Sequence, residues 1–201
     1  VSATRNVILR DGFANLSLDA VAAEADLSKP SLFYYFATRE ALAHAVMLDI
    51  NLKEVAAIRS RIDHSSTDGQ QSGAVDSENV VDAIVRAYVD FYLPILELFR
   101  ASQVWALTLA PPEDGYTTIN AAMIELFDCV EAMFKADKDA GLTYPDVHPR
   151  RAAVTIWNSA GGLMATVALL DGVETEFLHR VDDMVDELCA VLRRGIYRGQ
   201  A

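Results

Sequence analysis

Lys29, Pro30, Ser31, Phe33, Tyr34 and Tyr35 fall within the stretch Ser28-Lys-Pro-Ser-Leu-Phe-Tyr-Tyr-Phe36. The chemistry available there is recognition, not group transfer. An ammonium reaches guanine acceptors or phosphate, a short hydroxyl donates or accepts, phenols donate to phosphate oxygens, and rings touch thymine methyls. Phe33 to Phe36 are four consecutive aromatics in a chain that is only 8% aromatic. On a helix, successive side chains point about 100° apart, so one core cannot hold all four rings. Some must face outward, and a duplex groove offers them partners.

The elements that must position these groups are legible nearby. A first helix reads to Asp11 and ends at Gly12, a residue suited to left-handed backbone. Ser17 is placed to cap a second helix, "LDAVAAEA", with Asp19 in the first turn, where the helix dipole favours a carboxylate. Asp26 breaks that helix. Ser28 caps the third, in which Pro30 is tolerated because first-turn amides need no intrahelical partner. Leu32 and Phe36, four apart, would face inward with Val21 and Ala25. Lys29, Ser31, Phe33, Tyr34 and Tyr35 are then left outside. Thr38 caps a long helix through Ile62, and Arg39 at its start is placed for a backbone phosphate. Three short helices with a four-residue turn between the second and third make a helix-turn-helix pattern.

The net charge of −12 looks unsuited to a polyanion, but it is unevenly distributed. Residues 1–47 hold four cations and five acids, and the rest of the chain carries the remaining −11. A near-neutral head on an acidic body argues against broad nonspecific binding and leaves selective binding open. Cys129 and Cys189 lie far apart in apolar helical patterns, which reads as buried reduced thiols and a cytoplasmic setting. The opening residues carry no signal-peptide pattern, and "AGGLMATVALLDG" is too short to cross a bilayer.

Apolar residues recur at three and four throughout, so the expected fold is all-α. Residues 63–79 read as a polar linker. Beyond it, Val81, Ile84, Val85, Tyr88 and Tyr92 share one helix face. Asp82, Arg86 and Asp90 form a stripe on another, most simply solvated and ion-paired. Pro94 should kink or divide this segment. Pro111-Pro112 ends the next helix. Helices are then expected over about 114–140, 149–171 and 175–197, with a break at "GLTYPDVHP".

At the level of motifs, "GFANLSLDAVAAEADLSKPSLFYYFATREAL" resembles the DNA-binding head of the TetR family of transcriptional regulators. The shared features are the glycine after helix one, the Ser-Leu start of helix two, Val-Ala followed by Ala-Asp-Leu-Ser, then Leu-Phe-Tyr-Tyr-Phe and Thr-Arg-Glu-Ala-Leu. The match spans roughly 45 residues and leaves the body alike only in helical layout. The resemblance implies base or groove contacts from Lys29, Pro30, Ser31 and Tyr34. It implies phosphate contacts from Tyr35, Arg39 and the start of helix two at Ser17 and Leu18. With Ser28 and Phe33 these make the candidate DNA-contacting set. Asp26 stands where the family usually has glycine, and Phe33 where it usually has tyrosine, which removes a hydroxyl from that position. The chain opens inside what reads as helix one, so no preceding basic arm can be read.

The resemblance divides the chain into a helix-turn-helix domain over 1–47 and an effector-binding and dimerisation domain over 48–201. One head makes few contacts, so a homodimer on a palindromic operator is expected. Its seam would be a four-helix interface from the last two helices: Trp157, Gly161, Met164 and Ala168 on one, with Val181, Met184, Val185 and Leu188 on the other. Phe177 adds to the second. Internal core is an equally good account of each. TetR-like bodies commonly enclose an apolar effector pocket. Tyr88, Phe91, Tyr92, Trp105, Met123, Phe127 and Asn158 are the candidates here, with Phe134 and Thr155 nearby in sequence; core packing competes for each. The acidic body favours a neutral or cationic effector.

The competing class is an all-α enzyme. No H-E-x-x-H, cysteine cluster, glycine-rich phosphate loop or nucleophile-base pair is present, and His44, His64, His148 and His179 are scattered. No metal or cofactor is expected. A third reading is a helical ligand-binding protein that has lost DNA binding. The expected function is a sequence-specific regulator, a repressor released by a small, largely apolar effector.

Overall fold

The computed structural model describes residues 1–12, 15–68, 78–110, 117–173 and 180–199, with side chains undescribed at 65–68, 78 and 79. Phe13-Ala14 of the head motif, Pro111-Pro112, Phe177 and His179 lie outside the described residues. Nine α-helices are described: α1 (Ser2–Asp11), α2 (Leu18–Glu24), α3 (Lys29–Tyr35), α4 (Arg39–Asp68), α5 (Glu78–Tyr92), α6 (Leu96–Thr108), α7 (Thr117–Asp139), α8 (Pro149–Leu170) and α9 (Val181–Ile196). A single 3-10 turn at Leu93–Ile95 separates α5 from α6, as Pro94 requires.

The chain divides into two compact units: Val1–Lys53 with Pro94–Asn120, and Glu54–Leu93 with Ala121–Ala201. The first unit thus takes in α6 as well as the 1–47 head. Its core is Val7, Val21, Ala22, Leu32 and Leu42, with Ala3, Leu16, Leu18, Ala20 and Phe36 packed against it. Gly12 closes α1 at φ 80°, and its amide donates to the Ile8 carbonyl. Asp26 takes φ 54° in the turn after α2, the left-handed geometry for which the shared pattern supplies glycine.

The second unit is built on α5. Val80, Val81, Ile84, Val85, Tyr88, Val89 and Tyr92 are all buried, and α8 and α9 pack against this helix. The stripe on α5 is ion-paired, but not within itself. Asp82 pairs with Arg193, Arg86 with Asp186, and Asp90 with Arg61. Periodicity along one helix cannot reveal that α5 is crowded by neighbours carrying opposite charges. The expected linker also begins too early: α4 remains helical to Asp68, covering 63–68. Polar residues there are compatible with an exposed last turn, which composition does not distinguish from a loop.

The break after α7 is pinned in place. Thr143 and Tyr197 form an antiparallel bridge, and the Tyr197 hydroxyl donates to Asp137 at 3.0 Å. Helix α8 is long and apolar enough to span a bilayer by length and composition. Ala153, Ile156, Ala160, Met164, Val167 and Ala168 are nevertheless buried in the protein, as in a core helix. Cys129 is half-buried, Cys189 is buried, and both are free.

Candidate DNA interface and ligand site

Helix α3 is short, capped and turned outward. Ser28 Oγ accepts from the Ser31 amide at 3.2 Å and lies 2.8 Å from Ser31 Oγ. Only Leu32 is buried, at 4% exposed, whereas Tyr34 is 86% and Tyr35 67% exposed. Phe33, Lys29 and Pro30 are exposed as well, and Ser31 is half-buried. The two phenol rings meet edge to face, 5.5 Å between centroids. Two large rings standing in water represent unfavourable hydration that a partner surface would relieve. Phe36 turns inward onto the core, as its spacing from Leu32 implies. Ser17 caps α2 by accepting from Ala20 at 3.1 Å and remains exposed, and Leu18 packs partly inward. Thr38 caps α4 by accepting from Ala41, leaving Arg39 exposed.

The cations of this unit are mostly matched. Arg5 pairs with Asp49, Arg10 with Asp11 and Glu24, and Lys29 with Asp19 at 3.0 Å. Both acids beside Arg10 are held below the usual carboxylate range by hydrogen bonds from its guanidinium. Arg39 has no ion-pair partner among the described residues. An anion approaching Lys29 would compete with Asp19 for the ammonium, whereas at Arg39 it would meet no such competitor among the described residues.

The second unit contains a different arrangement, centred on a residue that sequence patterning did not single out. Glu54 is 2% exposed and accepts from the Tyr92 hydroxyl and from Trp157 Nε1, both at 2.7 Å. Burial raises its carboxyl above the ordinary value, and the two hydrogen bonds partly oppose that shift. Around this acid the rings form a chain: Phe91 to Tyr92 at 4.8 Å, Tyr92 to Tyr88 at 4.9 Å, Tyr88 to Trp157 at 6.1 Å and Trp157 to Phe127 at 6.1 Å. The Arg150 guanidinium lies 5.4 Å over Phe127. Burial also pushes the Tyr88 and Tyr92 phenols up, reinforced by the Glu54 charge.

Of the candidate effector residues, Tyr88, Phe91, Tyr92 and Phe127 thus come together, and Met123 is half-buried. Trp105 belongs to the first unit, where it lines a cavity with Thr4, Ser17, Lys29 and Arg39. Asn158 and Thr155 stand exposed on α8, outside the ring cluster. Trp157, read as a seam residue, instead anchors the cluster through Glu54. Glu54 escaped notice because one acid among many on a helix carries no distinguishing pattern. Its nearest sequence signal is its place among apolar neighbours in "LKEVAAI".

Five seam candidates point into the second unit. Met164 is fully buried, Ala168 and Val185 nearly so, and Trp157 is engaged by Glu54. A side chain on Gly161 would come within 3.3 Å of the Tyr88 hydroxyl. Packing within the second unit accounts for all of them. Val181, Met184 and Leu188 are half-buried. The open face shared by α8 and α9 is a largely apolar trough of about 500 Å³ lined by Gly162, Leu163, Thr166, Met184, Leu188 and Val191, with Ser159 and the acids Asp183 and Glu187 also in its lining.

Comparison with known proteins separates head from body. The family model for bacterial regulatory proteins of the tetR family matches residues 1–46. The head is that of a TetR-family regulator. The chain is accordingly a DNA-binding transcriptional regulator. No curated protein matches its sequence. Among solved structures, a protein of unknown function from Rhodococcus sp. RHA1 superimposes at TM-score 0.72 and 21% identity, over 98% of this chain and 93% of that one. A bacterial regulatory protein in the tetR family from Rhodococcus RHA1 gives 0.68 at 17% identity, over 98% and 94%. The transcriptional regulator FadR from Bacillus subtilis, in complex with stearoyl-CoA, gives 0.66 at 13% identity, over 98% and 97%. At such identities the likeness is one of fold. The head is therefore matched by sequence and by fold, and the body by fold alone.

Proposed function

We propose that this TetR-type regulator is a repressor that acts as a cytoplasmic homodimer on a palindromic operator and is released by a small, largely apolar effector. The observation that carries the DNA-reading part is the outward face of α3, with Tyr34 86% and Tyr35 67% exposed on a helix whose single buried residue is Leu32. Inserted in a major groove, Lys29, Pro30, Ser31 and Tyr34 meet base edges, and Tyr35, Arg39 and the Ser17-Leu18 helix start meet phosphates. Phe33 gives ring contact without a hydroxyl.

The dimer part rests on the α8–α9 trough, which a second copy would cover with its own α8 and α9 in a two-fold arrangement. Gly162, Leu163, Thr166, Met184, Leu188 and Val191 are its contact residues in this reading. The effector part rests on the Glu54 ring cluster. One helix, α4, carries both Glu54 and Arg39, so a ligand that repacks the rings has a covalent route to the head. Release then extends only as far as the ligand prefers the DNA-incompetent state.

A second reading, a ligand-binding protein whose head no longer binds DNA, has one observation in its favour: Lys29 is held by Asp19. Gel-shift titration of the full chain against a promoter library decides between them. The regulator reading predicts selective shifts, lost in Lys29→Ala and Tyr34→Ala while sedimentation still reports a dimer. Absence of any selective shift by the wild-type chain would establish the second reading.

A further inference from the structure

The first unit holds a cavity of about 300 Å³ lined in part by groups expected to contact DNA, Ser17, Lys29 and Arg39. The rest of the lining is different in kind: Leu16, Leu42 and the Trp105 indole supply apolar surface, and Trp105 is 5% exposed. Charge in the lining is unbalanced. Lys29 is matched by Asp19, and Arg39 has no ion-pair partner among the described residues. Thr4, also in the wall, is fully buried, and its hydroxyl has no hydrogen-bond partner among the described residues. A buried hydroxyl left so costs stability until something supplies the missing bond.

We infer that this head cavity is a second small-molecule site, separate from the body cluster, which takes a monoanionic organic acid with a compact apolar or aromatic body. The planar guanidinium of Arg39 matches a carboxylate by two parallel hydrogen bonds. Leu16, Leu42 and the indole cover the apolar body. Asp19, in the same lining, disfavours a second negative charge on the ligand. The volume lies at the small end of the range for ligand pockets, which excludes long acyl chains.

A carboxylate held bidentately by Arg39 competes with a DNA phosphate for the same charge and donors. Occupancy therefore lowers DNA affinity directly, without a signal from the body. By linkage, bound DNA lowers affinity for the acid by the same factor.

The chain has two tryptophans, so its proton–nitrogen spectrum has two indole resonances, one from each unit. They are assigned with Trp105→Phe. The full chain is titrated in parallel with phenylacetate and with the neutral phenylacetamide. The expected result is a saturable shift of the Trp105 resonance by phenylacetate, with Trp157 unmoved. The amide should bind about tenfold more weakly, the cost of one lost charge-assisted contact. Arg39→Gln should reduce the acid to the amide's level; its exposed, unpaired side chain can be replaced without loss of packing. No Trp105 shift at millimolar phenylacetate, equal binding of acid and amide, or full acid affinity in Arg39→Gln would each overturn the proposal. A shift of Trp157 alone would place the acid in the body, ending the head-site inference while leaving the effector reading intact.

Discussion

Lys29 and Asp19 sit 3.0 Å apart on exposed neighbouring helices, and in the proposed DNA complex this contact would compete with the duplex for the ammonium. Removing the acid frees the ammonium and one nearby negative charge. Asp19→Asn is predicted to tighten DNA binding by up to about fivefold, the span of an exposed ion pair, in titrations at low salt. Unchanged affinity would mean that Lys29 does not reach the duplex. Glu54 provides the second residue-scale test. Its folded-state pKa is raised, so its contribution to stability is fullest below the unfolded value, near 4.5, and is lost as pH rises through the folded pKa. The wild-type melting temperature minus that of Glu54→Gln is predicted to fall as pH rises above the ordinary carboxyl value near 4.5. A difference that is flat with pH would show that Glu54 is not the buried acid responsible. The outward-facing residues of α3 were readable because rings on every side of a short helix cannot share a core. Glu54 was not readable, because its partners Tyr92 and Trp157 are 38 and 103 residues away.

At the scale of elements, the head helices owe their bounds to local chemistry that a linear reading captures. Ser17, Ser28 and Thr38 all cap as their positions suggest. Ser28→Ala is predicted to cost about 1 kcal/mol in chemical denaturation, the usual value of a lost N-cap. Asp26 holds the left-handed turn between α2 and α3 at φ 54°. Replacing it by valine, whose branched Cβ suits that region poorly, should destabilise by about 1–3 kcal/mol, whereas Asp26→Gly should be tolerated. Equal stability of the two variants would contradict the turn geometry. The body helices were legible as helices but not in their facing. Met164 and Val185 lie on apolar stripes that fit an internal core and a dimer seam equally well. Only the position of α5 decides, because the buried apolar face of that helix takes up those stripes. The polar end of α4 was misjudged for a related reason: an exposed helical turn and a linker share a composition.

For the whole molecule, the open question is how one head becomes a selective reader. In the proposed dimer the α8–α9 trough receives the second copy, and Leu188→Glu would add a charge to its apolar part. Sedimentation should then report a monomer, and selective DNA binding should fall with it; a stable dimer would move the seam elsewhere. The net charge of −12 fits this division of labour, since an acidic body repels duplex that the near-neutral head does not hold specifically. The most direct measurement is selection of random duplexes by the full wild-type chain and by Tyr34→Ala, with the oligomeric state of both checked beforehand. The wild type is predicted to enrich an inverted repeat with half-sites about 10 base pairs apart or a multiple of that, and the variant to enrich nothing. The same sequence enriched by both proteins, or none enriched by either, would contradict the assignment of the exposed α3 face to DNA.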